Sequence, residues 1–321
     1  MSQQLKNQVQ RNLREFLGEE LFRYLWDASV TEIRCNEDGS LWVDGYVGKR
    51  KVGQVKPQEA MGVLSIIAST LETTITKDQP SLAGEMYLVD GDKRCRYRVQ
   101  GFIPPVTASP VYIIRKPATV IYTLDDYLDN EMMSRAHYDA IKNAVQLRQN
   151  ILVAGGTGSG KTTLCNAILA EIACHFPDDR IILIEDTQEL QCNVQDVQPL
   201  RACDARPIAA LVRDALRSSP DRIVVGEVRG AEAYLMLKAW NTGHDGGVCT
   251  VHANDAREAL QRIEDLVQEA GVVPAPRVIA NTIHVVVWVA KDKSHPKGRA
   301  VRDVVRVTGY DTASGAYVLT S

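Results

Sequence analysis

The sequence predicts an α/β protein of two domains, in which a smaller α+β domain precedes a larger domain built on a mainly parallel sheet. Its 321 residues correspond to two domains at about 150 residues each. The decisive pattern begins at residue 131, where short apolar runs alternate with stretches of helical spacing. Strands that are apolar on both faces are typical of parallel sheets covered by helices. We expect a first domain at 1–116, a linker at 117–130 and a second domain at 131–321.

The first domain begins with an amphipathic helix. Its apolar residues recur at helical spacing, with basic and amide side chains on the other side. They are Leu5, Val9, Leu13, Phe16 and Leu17. Packing against its own domain is the simplest role for this helix. Contact with a membrane surface or another subunit is the alternative, because an amphipathic helix with basic residues suits both.

Strands outnumber helices in the rest of the first domain. Two β-type runs at 30–36 and 41–47 flank an Asp-Gly turn, which predicts a hairpin. A helix is expected over 57–72, where apolar residues form one stripe. Strand character returns over 86–115 and is interrupted by prolines. The domain is therefore predicted to be α+β.

The second domain alternates strands and helices. The apolar run ILVA leads directly into a glycine-rich segment, which predicts a buried strand followed by a tight loop. A long helical stretch is expected directly after the linker. Further strands are expected at 180–186, 222–227, 247–251, 283–290, 300–308 and 316–320, and helices at 161–174, 207–217, 231–240 and 255–270. This order predicts the mainly parallel sheet.

Charge and cysteine content exclude several classes of protein. The net charge is −3, with +2 on residues 1–118 and −5 on the remainder. Neither part is a basic block of the kind that binds nucleic acid through bulk electrostatics. Seven cysteines without a C-x-x-C pair indicate reduced thiols in a cytosolic protein. Neither a secretory signal nor the ~20-residue apolar run of a spanning helix is found, so we expect a cytoplasmic protein.

Residues 155–162, GGTGSGKT, fit the phosphate-binding loop pattern G-x-x-x-x-G-K-[ST]. Glycines allow successive N–H groups to turn toward an anion, and the N-terminus of the following helix adds partial positive charge. Lys161 is expected to reach the β- and γ-phosphates, and the Thr162 hydroxyl to ligate Mg²⁺. A glycine-rich turn without nucleotide is the alternative. The expected nucleotide-binding residues are Gly155, Gly156, Thr157, Gly158, Ser159, Gly160, Lys161, Thr162 and Thr163.

Two apolar strands are followed by acidic residues. IEDTQE contains Glu185, Asp186 and Glu189, and VVGEVRG contains Glu227. The carboxyl ends of parallel strands face the edge of the sheet where ligands bind. We assign Glu185 as the base that activates the attacking water, and Glu227 as the carboxylate that holds Mg²⁺ through water. The reverse assignment stays open, and for Glu189 a helix N-cap is the alternative role.

The segment GHDGGVCTVHAND, residues 243–255, places His244 and His252 on either side of a short strand. A metal site through these histidines and Cys249 is one interpretation, although three ligands at this spacing match no standard zinc pattern. An ordinary structural histidine is a second interpretation. A histidine that contacts the γ-phosphate is the third, and we count His252 among the nucleotide-binding residues.

Four segments resemble, in order and spacing, the signatures of the secretion (traffic) ATPase superfamily. They are GGTGSGKTT, IEDTQEL, LRSSPDRIVVGEVRG and TGHDGGVCTVHAN, which correspond to the Walker A loop, the Asp box, the Walker B segment and the His box. VTEIRCN, RVQGFIPPV and YIIRKP are similar to the first domain of type IV secretion ATPases. The chain resembles the TrbB-like conjugal-transfer ATPases over residues 25–310.

The resemblance implies a RecA-like P-loop NTPase domain with ATP and Mg²⁺ as cofactors. It implies a homo-hexameric, Mg²⁺-dependent ATPase that powers a type IV secretion, conjugative DNA-transfer or pilus-biogenesis machine. Such a ring would lie on the cytoplasmic face of the bacterial inner membrane, where peripheral membrane contact is possible. Its partners would be inner-membrane channel components, without strong direct nucleic-acid binding.

The resemblance further implies that ATP lies between the two domains of one subunit and that arginines of the first domain reach it. Arg98 and Arg115 stand at the matching positions, where an arginine offsets charge on the transferred phosphoryl group. Surface salt bridges of little energetic weight are the alternative role. Arg217 and Arg229 fall within the Walker B segment and are weaker candidates for nucleotide or inter-subunit contacts.

Other ATP- and GTP-binding classes fit the sequence less well. Type II secretion and pilus-assembly ATPases carry a paired C-x-x-C module, which this sequence lacks. A pilus-retraction motor is the nearest alternative, and a DNA-acting RecA-like ATPase is the alternative from a different class. A GTPase would need an N/T-K-x-D motif, a small-molecule kinase would not need the His box, and a non-catalytic scaffold would not need two carboxylates.

Overall fold

The computed structural model falls into two compact units, Met1–Val120 and Ile121–Ser321. Each unit has its own core and is described separately. The residues described are 3–45, 48–90, 93–116 and 121–320.

The described part of the first unit contains two helices packed with a six-stranded sheet, in the order β3-β2-β1-β6-β5-β4. All neighbouring strands are antiparallel, which confirms the predicted α+β domain and its first hairpin. The elements are α1 (Gln3–Tyr24), β1 (Val30–Cys35), β2 (Ser40–Gly45), β3 (Arg50–Gln54), α2 (Pro57–Thr70), β4 (Ser81–Asp90), β5 (Lys93–Phe102) and β6 (Val111–Arg115).

Helix α1 packs against its own unit. Leu13 and Leu17 are buried in the core of the first unit. The helix bends at Gly18, whose φ of 73° lies in the left-handed region that glycine adopts without strain. Phe16 lies against Gly62 of α2, where a Cβ would overlap the phenyl ring. Leu13, Phe16 and Leu17 of the predicted stripe therefore pack within the first unit, whereas the side chains of Leu5 and Val9 lie outside the described part of the chain.

The second unit is built on an eight-stranded sheet with the order β14-β13-β12-β7-β11-β10-β8-β9. The six strands from β12 to β9 are parallel, and β13 and β14 extend the sheet in antiparallel fashion. The elements are α3 (Leu124–Asp129), α4 (Arg135–Gln146), β7 (Ile151–Ala154), α5 (Lys161–His175), β8 (Ile181–Glu185), β9 (Val197–Arg201), α6 (Ile208–Ala215), β10 (Arg222–Val225), α7 (Glu232–Trp240), β11 (Val248–Val251), α8 (Ala256–Glu269), α9 (Pro276–Thr282), β12 (Val285–Lys291), β13 (Arg299–Asp311) and β14 (Ala316–Thr320).

Both faces of this sheet are buried. Leu152 and Ala154 of β7 belong to one apolar cluster, and Ile151 and Val153 belong to the cluster on the other face. Successive side chains of a strand point to opposite faces, so a strand covered on both sides must be apolar throughout. The four-residue run ILVA therefore produces a central strand, and the predicted mainly parallel sheet is confirmed.

Asn150 joins the amino-terminal ends of three strands. Its side chain is fully buried. Oδ1 accepts hydrogen bonds from the N–H groups of Gly246 and Gly247, both at 2.9 Å, and Nδ2 donates to the Thr282 carbonyl at 2.8 Å. Its own N–H donates to Nδ1 of His284 at 3.0 Å. One polar side chain thus fixes the starts of β7, β11 and β12 and leaves their opposite ends to form the site.

The structure also contains elements that the sequence pattern did not predict, namely β3, α3, β9 and α9. Helix α3 falls within the predicted linker 117–130 and is capped by Thr123, whose hydroxyl accepts from the Asp126 N–H at 3.1 Å. Residues 117–120 of that linker lie outside the described residues. The domain boundaries stay a prediction.

Over the described ranges, no helix has the length and apolarity needed to cross a bilayer.

Candidate phosphate-binding site

The loop at residues 155–160 connects β7 to α5 and depends on glycine at three positions. Gly158 and Gly160 have φ values of 69° and 99°, which strongly disfavour residues with a Cβ. A Cβ on Gly155 would overlap the carbonyl oxygen of Val289 in β12. Gly156 has open space instead, since a Cβ there would meet nothing within 4 Å. Gly156, Thr157 and Gly158 are exposed along the loop.

Lys161 begins helix α5 and turns its ammonium group back into the loop. The residue is only 8% exposed, and Nζ donates to the carbonyl oxygens of Gly155 at 2.9 Å and Gly156 at 3.2 Å. Burial lowers the pKa of Lys161, an effect that the nearby Glu227 carboxylate partly opposes. Thr162 and Thr163 follow in the first turn and are half-buried. The loop therefore gathers a buried cation and hydroxyl groups around a helix N-terminus.

His252 links this lysine to Glu227, which follows β10. Its Nδ1 lies 3.3 Å from Lys161 Nζ, and its Nε2 lies 2.7 Å from Glu227 Oε1. An ammonium group only donates, so we assign the proton of the ring to Nε2. Burial and the charge of Lys161 lower the pKa of His252, which favours the neutral ring at pH 7. Three of the predicted site residues are thus in direct contact.

Glu185 ends strand β8 next to β10 and is 4% exposed. Its Oε1 accepts hydrogen bonds from the N–H groups of Glu189 at 2.8 Å and Leu190 at 2.9 Å. A Cβ on Gly226 would lie 2.8 Å from the Glu185 side chain, so glycine there allows the carboxylate to lie against β10. Glu189 acts through its backbone, and in the described chain no helix begins at this residue.

Arg229 joins the two acidic strand ends. Its guanidinium pairs with Asp186 Oδ2 at 2.9 Å and with Glu227 Oε2, while the side chain stays 57% exposed. The sequence offered Arg229 as a weaker candidate without indicating this double ion pair. Arg217 is exposed and follows α6.

The oxygen donors of the site fit Mg²⁺. Glu227 Oε1 is buried and lies 2.7 Å from Nε2 of His252, so it would accept from a metal-bound water once the ring moves away. The Thr162 hydroxyl is the second oxygen donor expected from the sequence. Mg²⁺ commonly binds through one or two protein oxygens and completes its shell with phosphates and water.

The zinc interpretation finds no support. In the residues that the structure describes, no group of three His, Cys, Asp or Glu side chains could hold a metal ion. Burial raises the pKa of Cys249 well above its usual value, which keeps the thiol protonated. Nδ1 of His244 lies 3.2 Å from the carbonyl oxygen of Ala239, as expected of a structural histidine.

In the first unit, Arg98 and Arg115 are direct cross-strand partners on β5 and β6. Both side chains are exposed, and Arg115 pairs with Glu32 at 3.1 Å. Like charges directly opposite each other destabilise a sheet. The sheet pairing nevertheless places these two predicted residues side by side. Their contact with nucleotide stays a prediction.

Two further cations next to the loop are absent from the residues predicted by sequence. A Cβ on Gly158 would lie 3.3 Å from Nζ of Lys291, and one on Gly160 would lie 2.8 Å from Nη1 of Arg299. In the sequence these two residues lie in the basic segment KDKSHPKGR at 291–299. Its charge could have pointed to an anion, but the segment matches no phosphate-binding motif.

The fold and the loop at the carboxyl edge of the sheet define an α/β protein of the RecA-like class. Residues 29–310 match the protein family described as Type II/IV secretion system protein. The chain belongs to this family, which confirms the resemblance seen in the sequence.

Curated relatives place the chain near conjugation proteins. It is 40% identical to the conjugal transfer protein TrbB of Rhizobium radiobacter over 302 residues, which cover 94% of this chain and 90% of the relative. It is 30% identical to the type IV secretion system protein VirB11 of Bartonella henselae over 296 residues, covering 78% of this chain and 80% of that protein.

Solved structures show the same fold at lower identity. The Legionella pneumophila ATPase DotB superposes with a TM-score of 0.63 at 20% identity. The aligned region covers 88% of this chain and 78% of the DotB chain. The pilus retraction motor PilT with bound ADP gives a TM-score of 0.60 at 19% identity, and the aligned region covers 94% of this chain and 80% of the PilT chain. These likenesses confirm the predicted fold class.

Proposed function

We propose that this protein is a Mg²⁺-dependent ATPase that powers a type IV secretion or conjugative DNA-transfer machine. The observation that carries the proposal is the contact chain from Lys161 through His252 to Glu227, at the mouth of a glycine-rich loop. The family membership and the relative named conjugal transfer protein TrbB support the biological setting. The structural relatives DotB and PilT are described as an ATPase and a motor.

Nucleotide binding would use the loop and the start of α5. The N–H groups of the loop and of the first helical turn would surround the β-phosphate. Lys161 Nζ now donates to two loop carbonyls and would exchange these partners for oxygens of the β- and γ-phosphates. Mg²⁺ would neutralise negative charge on the phosphates. Thr162 would hold the ion directly, and Glu227 would hold it through water.

Hydrolysis would require an oriented base, and Glu185 is suited to that role. Two backbone N–H groups fix its carboxylate at the end of β8, so little reorientation is needed when the attacking water arrives. His252, neutral and adjacent to Lys161, is suited to donate a hydrogen bond to the γ-phosphate once Nε2 leaves Glu227. Arg98 and Arg115 would add positive charge to the same phosphate.

Single substitutions separate these roles. Lys161→Ala is expected to abolish nucleotide binding in a chain that remains folded. Glu185→Gln should retain ATP binding and lose about a hundredfold or more in turnover, the usual contribution of a general base. Glu227→Gln should instead raise the Mg²⁺ concentration needed for half-maximal turnover. Unchanged turnover in Glu185→Gln would remove the base assignment, and an exchanged pattern would reverse the two roles.

The assembled state is tested on the full chain. We propose a homo-hexamer on the cytoplasmic face of the inner membrane, in contact with channel components, with a first domain at 1–116, a linker at 117–130 and the ATPase domain at 131–321. The mass of the native particle with and without ATP tests the ring. Turnover with and without DNA tests the alternative of a DNA-acting ATPase, since strong stimulation of a monomer by DNA would favour it.

A further inference from the structure

A basic hairpin lies beside the phosphate-binding loop. Strand β12 ends at Lys291 and β13 begins at Arg299, and these two residues are direct cross-strand partners. The hairpin is in the same unit as the loop, so its placement rests on one packed sheet, in which β12 pairs with β7. The register therefore delivers two cations to one point at the carboxyl edge of the sheet.

The two cations flank the left-handed glycines of the loop. Lys291 Nζ lies 3.3 Å from the position of a Cβ on Gly158, and Arg299 Nη1 lies 2.8 Å from that of a Cβ on Gly160. Both glycines belong to the segment whose N–H groups would hold the phosphates. Long side chains at this distance need only a change of rotamer to reach an anion in the loop.

Neither cation forms an ion pair with an acidic side chain of the described residues. The acid of the same hairpin, Asp292, pairs instead with Arg302 at 2.8 Å. Lys161 adds a third cation within the loop. Like charges gathered at one place repel each other unless an anion offsets them, and the loop between them is shaped to hold one.

We propose that Lys291 and Arg299 bind the phosphate chain of the nucleotide from the hairpin side of the loop. This inference rests on the proposed nucleotide site and adds residues to it. Arg299 presents a planar fork that can contact two phosphate oxygens, and Lys291 supplies a mobile point charge. The hairpin thereby makes nucleotide affinity depend on the number of phosphates, since each added phosphate places more negative charge between these cations.

The test measures binding of ATP and of inorganic tripolyphosphate to the full chain. Lys291→Ala and Arg299→Ala are each expected to weaken both ligands by about fivefold, as for partly exposed ion pairs, and the double variant more strongly. Lys293→Ala removes an exposed cation from the same hairpin and should leave both affinities unchanged. Arg299→Met keeps much of the side-chain volume and tests the charge if Arg299→Ala fails to fold.

The outcomes separate this inference from the proposed function. Lys161→Ala is expected to lose nucleotide binding. If Lys161→Ala loses binding while the Lys291 and Arg299 variants bind ATP with wild-type affinity, only the hairpin proposal is overturned. Weakened ATP binding with unchanged tripolyphosphate binding would place the cations at the base or ribose and would also overturn it. If Lys161→Ala binds ATP normally, the nucleotide site itself is wrong.

Discussion

Asn150 provides the sharpest test of how the second unit is held together. Replacement by alanine removes the acceptor of the Gly246 and Gly247 N–H groups and the donor to the Thr282 carbonyl. A buried polar group left without a partner costs about 1–3 kcal/mol. Water entering the vacated space restores part of this loss, so we expect a net destabilisation of about 3 kcal/mol.

The assay is thermal unfolding of the full chain by calorimetry, which resolves a transition for each unit if the two unfold separately. A loss of about 3 kcal/mol corresponds to a shift of about 6–12 °C in Tm for a unit of this size. Asn254→Ala is the matched control, because Asn254 is exposed and its partner Glu258 remains hydrated.

The carboxyl edge of the sheet should be unaffected, since Asn150 lies at the opposite ends of the strands. ATP binding by Asn150→Ala, measured well below its Tm, is expected to match wild type. A shift in Tm no larger than that of Asn254→Ala would show that these three hydrogen bonds do not hold the strands. Normal stability with lost ATP binding would refute the separation of the two edges.

Three other perturbations follow from local geometry. Gly160→Ala should lower the free energy of unfolding by about 1–2 kcal/mol, because Gly160 has a left-handed φ of 99°. Gly156→Ala should change the free energy of unfolding little, and equal effects of the two substitutions would contradict the loop geometry. Burial, opposed by Asp245, lowers the pKa of His284 below its usual 6.5, so the unfolded chain binds the proton more readily. Stability should fall as pH drops below about 6.5, with a shallower slope in His284→Gln; an unchanged slope would assign the effect elsewhere. Arg229→Ala removes a cation that competes for Glu227 and should lower the Mg²⁺ concentration for half-maximal turnover, whereas Arg229→Lys should preserve it; a higher Mg²⁺ requirement would contradict this.

The central strand, loop and helix could be predicted because their signals are local. The run ILVA is apolar at every position, the glycines follow it at once, and Lys161 opens the next helix. Each signal acts over a few residues, so neither sheet order nor long-range contacts need to be known. The acidic strand ends were predictable for the same reason, since they directly follow apolar runs.

Strand β9 could not be predicted in this way. It is an edge strand with mostly exposed or half-buried residues, and Pro199 interrupts its pattern. Proline is tolerated at a sheet edge, where one side of the strand needs no ladder hydrogen bonds. Its pairing with β8 is therefore decided by the neighbouring strand rather than by its own sequence.

The fold class, the phosphate-loop segment and the identity of most charged groups around it can be inferred from local sequence patterns. Which of these groups meet depends on the folded sheet, which places His252 between Lys161 and Glu227 and Arg229 between Asp186 and Glu227. It also placed the hairpin cations beside the loop. Local patterns specify helices and strands through propensity and periodicity, whereas the meeting of distant side chains depends on strand order and register. Those follow from burying both faces of the sheet at once.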